Sequence, residues 1–248
     1  MKLPNVRKLF VPDKGFVLLD ADLSGADAQV VAWEANDSGL KAAFRSGIDI
    51  HSKNAEEMWG DDFRALKGFA RKAKRQTLKT SVHATNYGAA ARTLALNPAI
   101  GFTYAEAEWF QERWFSLHPG IKEWHMRTRD SLFASRSVHN AFGYRIIYFD
   151  RIDSLLPQAL AWIPQSTVAE VCFRGALQLE RELSDVEMLL QVHDSIVFQI
   201  PEKLYEPSTL SRIKRALEVP IPYPDPLVIR WKLAASPISW GDTKELSL

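Results

Sequence analysis

Apolar positions along the chain fall into strand-like runs and helix-spaced sets. Phe16 to Asp22, F-V-L-L-D-A-D, is a short apolar run entered through Lys14-Gly15. It predicts a buried strand that delivers Asp22 at its C-terminal end. A helix is predicted from Ala26 to Asn36, with Ser24 as its cap and Asp27 in its first turn. Gly47 to Gly60 reads as a turn and a short helix capped by Asp49 or Ser52. Arg71 to Gly88 has no proline and closes on a glycine suited to a helix end, while Asp61 and Asp62 favour a start upstream. Thr103 and Glu106 have capping-box spacing and open a helix to about His118, after which Pro119-Gly120 interrupts and a second helix runs to about Ser135. Trp109, Trp114 and Trp124 on these helices read as core.

Ser137 to Tyr148 carries Gly143-Tyr144-Arg145 between two β-prone pieces and predicts a hairpin. Pro164 is expected to start a long helix to about Leu183, with Gln165 in its first turn. Glu187 to Pro201 places two apolar β runs around His193-Asp194-Ser195, a tight hairpin with a histidine and an aspartate at its tip. An amphipathic helix from Leu204 to Val219 with Arg212, Lys214 and Arg215 outward, then a strand from Leu227 to Leu233, complete the pattern. The sum is an α+β fold with a mostly antiparallel sheet.

Composition narrows the picture. At 248 residues and 46% hydrophobic content the chain buries a sizeable core. Thirty-one basic against thirty acidic residues give no global pull on nucleic acid, so any such site is local. Arg64 to Lys79, seven basic residues and no acidic one, is such a cluster. The single Cys172 excludes an internal disulfide framework and fits a reducing compartment. With no signal sequence and no apolar run of membrane-span length, the expectation is no membrane association and a cytoplasmic location in a bacterium or a phage-infected host.

The Arg71 to Gly88 helix spaces Arg75, Lys79, His83 and Tyr87 at steps of four, a slowly winding row about 18 Å long. Two cations, an imidazole and a phenol in that order suit a nucleoside triphosphate laid along the helix. Taken alone, the helix reads more simply as a solvated basic face. Asp194 between apolar strands calls for a cationic partner. Asp22 at a strand end and Asp194 at a hairpin tip can converge on one sheet surface, where two such carboxylates can hold two magnesium ions about 3.5–4 Å apart for displacement at phosphorus.

On these residues the chain resembles the DNA polymerases related to bacterial DNA polymerase I, family A. D-A-D-L-S-G-A-D is similar to that family's motif A, R-Q-T-L-K-T-S-V-H-A-T-N-Y-G to motif B, Q-V-H-D-S to motif C, and G-I-D-I-H-S to the segment before the fingers. The order is the expected one and R-x3-K-x7-YG is intact. The resemblance implies a palm with a mostly antiparallel sheet (1–48 and 142–248) and helical fingers (49–141). It implies template-directed transfer of deoxynucleotides to a primer 3′-hydroxyl. Asp22 and Asp194 would bind two Mg2+ ions and, with Lys79, form the catalytic set. Arg75, Lys79 and His51 would contact the triphosphate, and Tyr87 would close over the templating and incoming bases. Asp27 stands where the family has a glutamate that blocks a ribose 2′-hydroxyl, and His83 where it has Phe or Tyr in the nucleotide pocket. His193, Gln165 and Arg145 would contact primer or template. Two further departures are Ser195 in place of motif C's second acid and Gln29 in place of an arginine.

Few residues precede Asp22, so the expectation is a phage-type, truncated chain without thumb or exonuclease region. Its implied partners are primer-template DNA, dNTPs and a thumb-bearing or processivity chain. Two rival readings remain. A single-subunit phage-type RNA polymerase shares R-x3-K-x7-YG and an H-D-S motif, but has a small residue where Asp27 stands. A non-catalytic, polymerase-shaped DNA-binding module fits Ser195, but gains nothing from Asp22 and Asp194.

Overall fold

The computed structural model describes residues 4–151 and 154–247. In chain order the elements are β1 (Phe16–Leu23), α1 (Ala26–Glu34), α2 (Ser38–Ser46), α3 (Ile50–Trp59), α4 (Asp61–Ala65), α5 (Gly68–Asn86) and α6 (Ala91–Ala95). They continue with α7 (Tyr104–Leu117), α8 (Pro119–Ser135), β2 (Ser137–His139), β3 (Arg145–Ile147) and α9 (Leu156–Glu182). The last are β4 (Glu187–Val192), β5 (Ser195–Pro201), α10 (Pro207–Ala216), β6 (Pro220–Ile221), β7 (Leu227–Val228), β8 (Trp231–Ser236) and β9 (Lys244–Glu245). By contacts the chain forms two compact units, Met1–Ala26 with Ser166–Leu248, and Asp27–Gln165. The divisions fall at 26/27 and 165/166, not at the 48/49 and 141/142 boundaries expected from the motifs.

The first unit is built on a five-stranded antiparallel sheet of order β4-β5-β1-β8-β9. Its central strand β1 is the apolar run that opens the sequence, and Val17, Leu18, Leu19, Ala21 and Leu23 are buried. Beside it β5 is buried from Ser195 to Ile200, whereas β4 alternates exposed and half-buried positions with a register shift between Met188 and Leu190. Within this unit α9 approaches the end of α10 closely, since a Cβ at Gly175 would lie 3.2 Å from the Leu217 carbonyl oxygen.

The second unit is helical. Its core gathers Phe63, Leu78, Leu94, Phe110, Trp114, Ile121, Trp124 and Leu132, all nearly inaccessible. The end of α5 is tied to α7 and α8 through Asn86, whose side-chain oxygen accepts from Trp114 Nε1 at 2.8 Å and whose carbonyl meets His125 Nε2 at 2.8 Å. Gly120 lets the start of α8 press on the end of α1, where any Cβ would come within 2.3 Å of the Ala35 carbonyl oxygen.

Several expectations change. Asp61 and Asp62 start the short helix α4, and the chain breaks at Leu66-Lys67 before α5 begins at Gly68. The long helix α9 begins at Leu156, so Pro164 lies inside it and Gln165 is well past its first turn. A proline in a helix interior costs about 3 kcal/mol. Burial of Ala159, Leu160 and Ile163 on the turns before it offsets that cost. The run from Leu227 to Leu233 is split, with β7 pairing to β6 and β8 joining the main sheet. Of Leu204 to Val219, the α-helix α10 covers only Pro207–Ala216, and Leu204 closes a short 3-10 turn before it. Trp114 and Trp124 are core as expected, but Trp109 is 47% exposed.

Candidate functional site

The sheet unit brings three aspartates to one end of adjacent strands. Asp22 stands opposite Ser195 of β5 on one side and Lys232 of β8 on the other. The β4–β5 hairpin turns in two residues, since Val192 pairs with Ser195; the tip is therefore His193-Asp194, with Ser195 already in the strand. His193 takes a left-handed φ of 56°, the first-position requirement of a primed hairpin turn that glycine ordinarily meets. Its conformation is held by Gln191 Nε2, which donates to the His193 carbonyl at 2.6 Å, and the Leu23 N–H donates to the Asp194 carbonyl at 3.0 Å. The end of β1 and the hairpin tip are thus fixed to each other.

Partial desolvation, then the charges of Asp194 and Asp20, push the Asp22 carboxyl up to about 6, while Lys232 and Arg7 pull the other way. Burial first, then the charges of Asp194 and Asp22, push the Cys172 thiol up to about 12 and keep it unreactive. Among the described residues no lysine or arginine pairs with Asp194, which was expected to meet a cationic partner. Two neighbouring carboxylates whose repulsion Lys232 and Arg7 only partly offset have the donor chemistry a hard divalent cation takes. Among the described residues no three His, Cys, Asp or Glu side chains cluster as a ligand set, so the fit rests on Asp22 and Asp194 as a pair.

The helical unit presents the row. Arg75 is held by Asp49 in a two-pronged pair, Nε to Oδ2 at 2.7 Å and Nη2 to Oδ1 at 2.6 Å. That pairing holds the Asp49 carboxyl well below its usual range. Asp49 also caps α3, accepting from the His51 N–H at 3.3 Å and the Ser52 hydroxyl at 2.7 Å. His51 sits near both row cations; burial first, then Arg75 and Lys79, lower its pKa to about 4. Lys79 is exposed and, among the described residues, makes no ion pair.

The His83 and Tyr87 rings meet edge-on at 4.4 Å between centroids. Tyr87 itself lies just past the last helical residue, as the C-cap of α5. Its hydroxyl donates to Asp27 Oδ2 at 2.8 Å, and burial with the Asp27 charge raises its pKa further above the phenol range. The basic run is not a uniform cationic face, because Arg64 pairs with Asp61, Arg71 with Glu56, and Lys74 lies over the Trp59 ring.

Expected site residues therefore fall into two groups. Asp22, His193 and Asp194 belong to the sheet unit; His51, Arg75, Lys79, His83, Tyr87 and Asp27 belong to the helical unit. Gln165 on α9 and Arg145 on β3 are exposed and, among the described residues, bond to none of the others. Sequence reasoning missed Asp20, Arg7, Lys232 and the Asp49 grip on Arg75. Only Asp20 left a signal, since D-A-D puts two carboxylates on one face of a strand.

A family model for DNA polymerase family A matches residues 2–236. The chain belongs to DNA polymerase family A. It is 33% identical over 233 residues to a thermostable DNA polymerase I of Thermus filiformis, covering 90% of this chain and 27% of that protein. It is 30% identical over 249 residues to the DNA polymerase I of Deinococcus radiodurans, covering 96% of this chain and 25% of that protein. This family A chain thus spans about a quarter of the length of the curated relatives it matches. The POL domain of Pol1 from M. smegmatis, solved in complex with DNA primer-template and dNTP, shares the fold at a TM-score of 0.81 and 21% identity, over 96% of this chain and 42% of that one. Among the described residues no helix is long and apolar enough to cross a membrane.

Proposed function

We propose that this chain carries out template-directed DNA synthesis, adding deoxynucleotides to a primer 3′-hydroxyl. The observation that carries the reading is the pair Asp22 and Asp194, fixed at one sheet end with no lysine or arginine among the described residues paired to Asp194, in a family A chain. These two residues would hold divalent ions, two magnesium ions in this reading. Bound there, the metal supplies the charge that activates the attacking hydroxyl and steadies the leaving pyrophosphate.

The remaining work falls to the chain's own side chains. Arg75 and Lys79 grip the triphosphate, with His51 as a neutral hydrogen-bond donor beside them, and Lys79 serves at the departing phosphate. Tyr87 and His83 offer ring surface to the base pair being formed. Asp27, oriented by the Tyr87 hydroxyl, obstructs a ribose 2′-hydroxyl and favours deoxynucleotides over the RNA polymerase reading. His193 at the hairpin tip, Gln165 and Arg145 contact primer and template. In this scheme the sheet unit is the palm and the helical unit the fingers. Primer-template DNA and dNTPs are the partners, and a thumb-bearing or processivity segment or chain completes the grip. The exposed apolar side chains of Val6, Leu9 and Val11 in the sheet unit support that last element.

The test is primer extension with magnesium by the wild type, Asp22→Ala and Asp194→Ala. Both variants should remain folded and lose extension; near-normal turnover in either refutes the assignment, and a folded wild type that binds primer-template without extending it favours the binding-module reading.

A further inference from the structure

Asp20 and Asp22 are two residues apart on β1 and so project from the same face of the sheet. In the register of β1 with β5, Asp22 lies opposite Ser195 and Asp20 opposite Val197, which puts Ser195 on the diagonal from Asp20. The Ser195 hydroxyl spans that diagonal and donates to Asp20 Oδ1 at 2.8 Å. The other oxygen, Oδ2, accepts from Trp240 Nε1 at 2.6 Å. Both donors are buried, Ser195 at 8% and Trp240 at 6% exposure. Among the described residues no lysine or arginine pairs with Asp20.

Strand stability does not account for this arrangement. Aspartate is disfavoured in strands. Two neutral donors hold a negative charge in place without cancelling it.

We propose that Asp20, acting through Ser195, is a positioning carboxylate of the metal site. This rests on the reading of Asp22 and Asp194 as the metal ligands. Asp20 is not itself a ligand in this arrangement, since both its oxygens accept from other donors and, among the described residues, no three-carboxylate cluster forms. It works from the outer shell in two ways. With its O–H donated in a hydrogen bond to Asp20, the Ser195 hydroxyl keeps only acceptor capacity on the face it shares with Asp22, the form suited to orient a metal-bound water. The Asp20 charge also adds to the field that draws a dication to Asp22 and Asp194. The negative charge that the resembling polymerases carry at position 195 is here displaced one diagonal across the strand pair.

Mn2+ binding to the full chain without DNA or nucleotide, followed by electron paramagnetic resonance, tests this alongside thermal melting. D22N should lose most binding. D20N should raise the half-saturating Mn2+ concentration roughly 10- to 100-fold, the range for losing an outer-shell partner. D20N/S195D, which returns a carboxylate to the strand pair, should recover most of the loss. Wild-type affinity in folded D20N, with binding lost in D22N, overturns the inference alone; wild-type affinity in D22N overturns the metal reading beneath it. Should D20N fail to fold, S195A decides, because it removes only the hydroxyl. Severalfold weaker binding upholds the route through Ser195, and unchanged binding removes it.

Discussion

Replacing Asp49 by asparagine should strengthen triphosphate binding. In the structure the Arg75 guanidinium is committed to Asp49 by two short charge-assisted bonds, 2.6 and 2.7 Å. Arg75 can meet a triphosphate fully only by giving up part of that pairing. The two side chains are 34% and 45% exposed, so solvent screens the pair and its worth is about 1 kcal/mol or less, despite its geometry. Asparagine is as good an N-cap as aspartate, so α3 should keep its start while the competing anion disappears. Releasing about 1 kcal/mol corresponds to roughly a fivefold lower Kd. The assay is equilibrium titration of a fluorescent nucleoside triphosphate, with thermal melting as the control for α3. In an Arg75→Ala background the D49N change should have no effect on affinity, which isolates the pairing as the cause. Unchanged or weaker binding by a fully folded D49N would show that Asp49 aligns Arg75 for its ligand, and would refute the competition argument.

Lys79→Ala should weaken nucleotide binding by roughly 10- to 150-fold, from about 1.5–3 kcal/mol of charge-assisted contact, and leave primer-template affinity nearly intact; equal losses would indicate a general phosphate face. Asp27→Ala should raise ribonucleotide incorporation severalfold in competition assays, whereas unchanged sugar selectivity would place the gate elsewhere. His51 titrates near 4 in the folded chain against an ordinary 6.5, so folding excludes its proton and this residue's share of stability falls as pH drops from 6.5 toward 4. His51→Gln should flatten the melting temperature over that interval, and an unaltered pH profile counts against the burial and cation causes. His193→Gly should stabilise the hairpin by about 1 kcal/mol, read as a higher melting temperature, because it relieves a left-handed non-glycine residue; its primer-template affinity should fall.

What the sequence disclosed was what local rules govern. The apolar run of β1, the Thr103–Glu106 capping box and the Asp49 cap of α3 all appear where spacing put them. Each depends on residues within a turn of one another. The errors arose where burial overrode local preference. Pro164 reads as a helix start, but the buried turns before it carry the helix through. Asp61 and Asp62 do favour a helix start, but of a helix that ends at Ala65. At the candidate site the motif residues were legible singly and their partners were not. Nothing near Arg75 in sequence announces Asp49, and nothing near Asp20 announces Trp240.

The carboxylate end of the sheet departs from good folding practice in three ways at once. An aspartate occupies a central strand between apolar neighbours, a histidine occupies a glycine's place in a two-residue turn, and two further aspartates face one another's charge with no lysine or arginine among the described residues bonded to Asp194. Each is unfavourable for stability, by about 1–2 kcal/mol for a left-handed non-glycine residue alone. A glycine at 193 and an asparagine at 194 would fold at least as well. Local rules that hold through most of the chain fail together within a few residues of Asp22, which is where strain and uncompensated charge are expected if the end of this sheet does chemistry rather than packing.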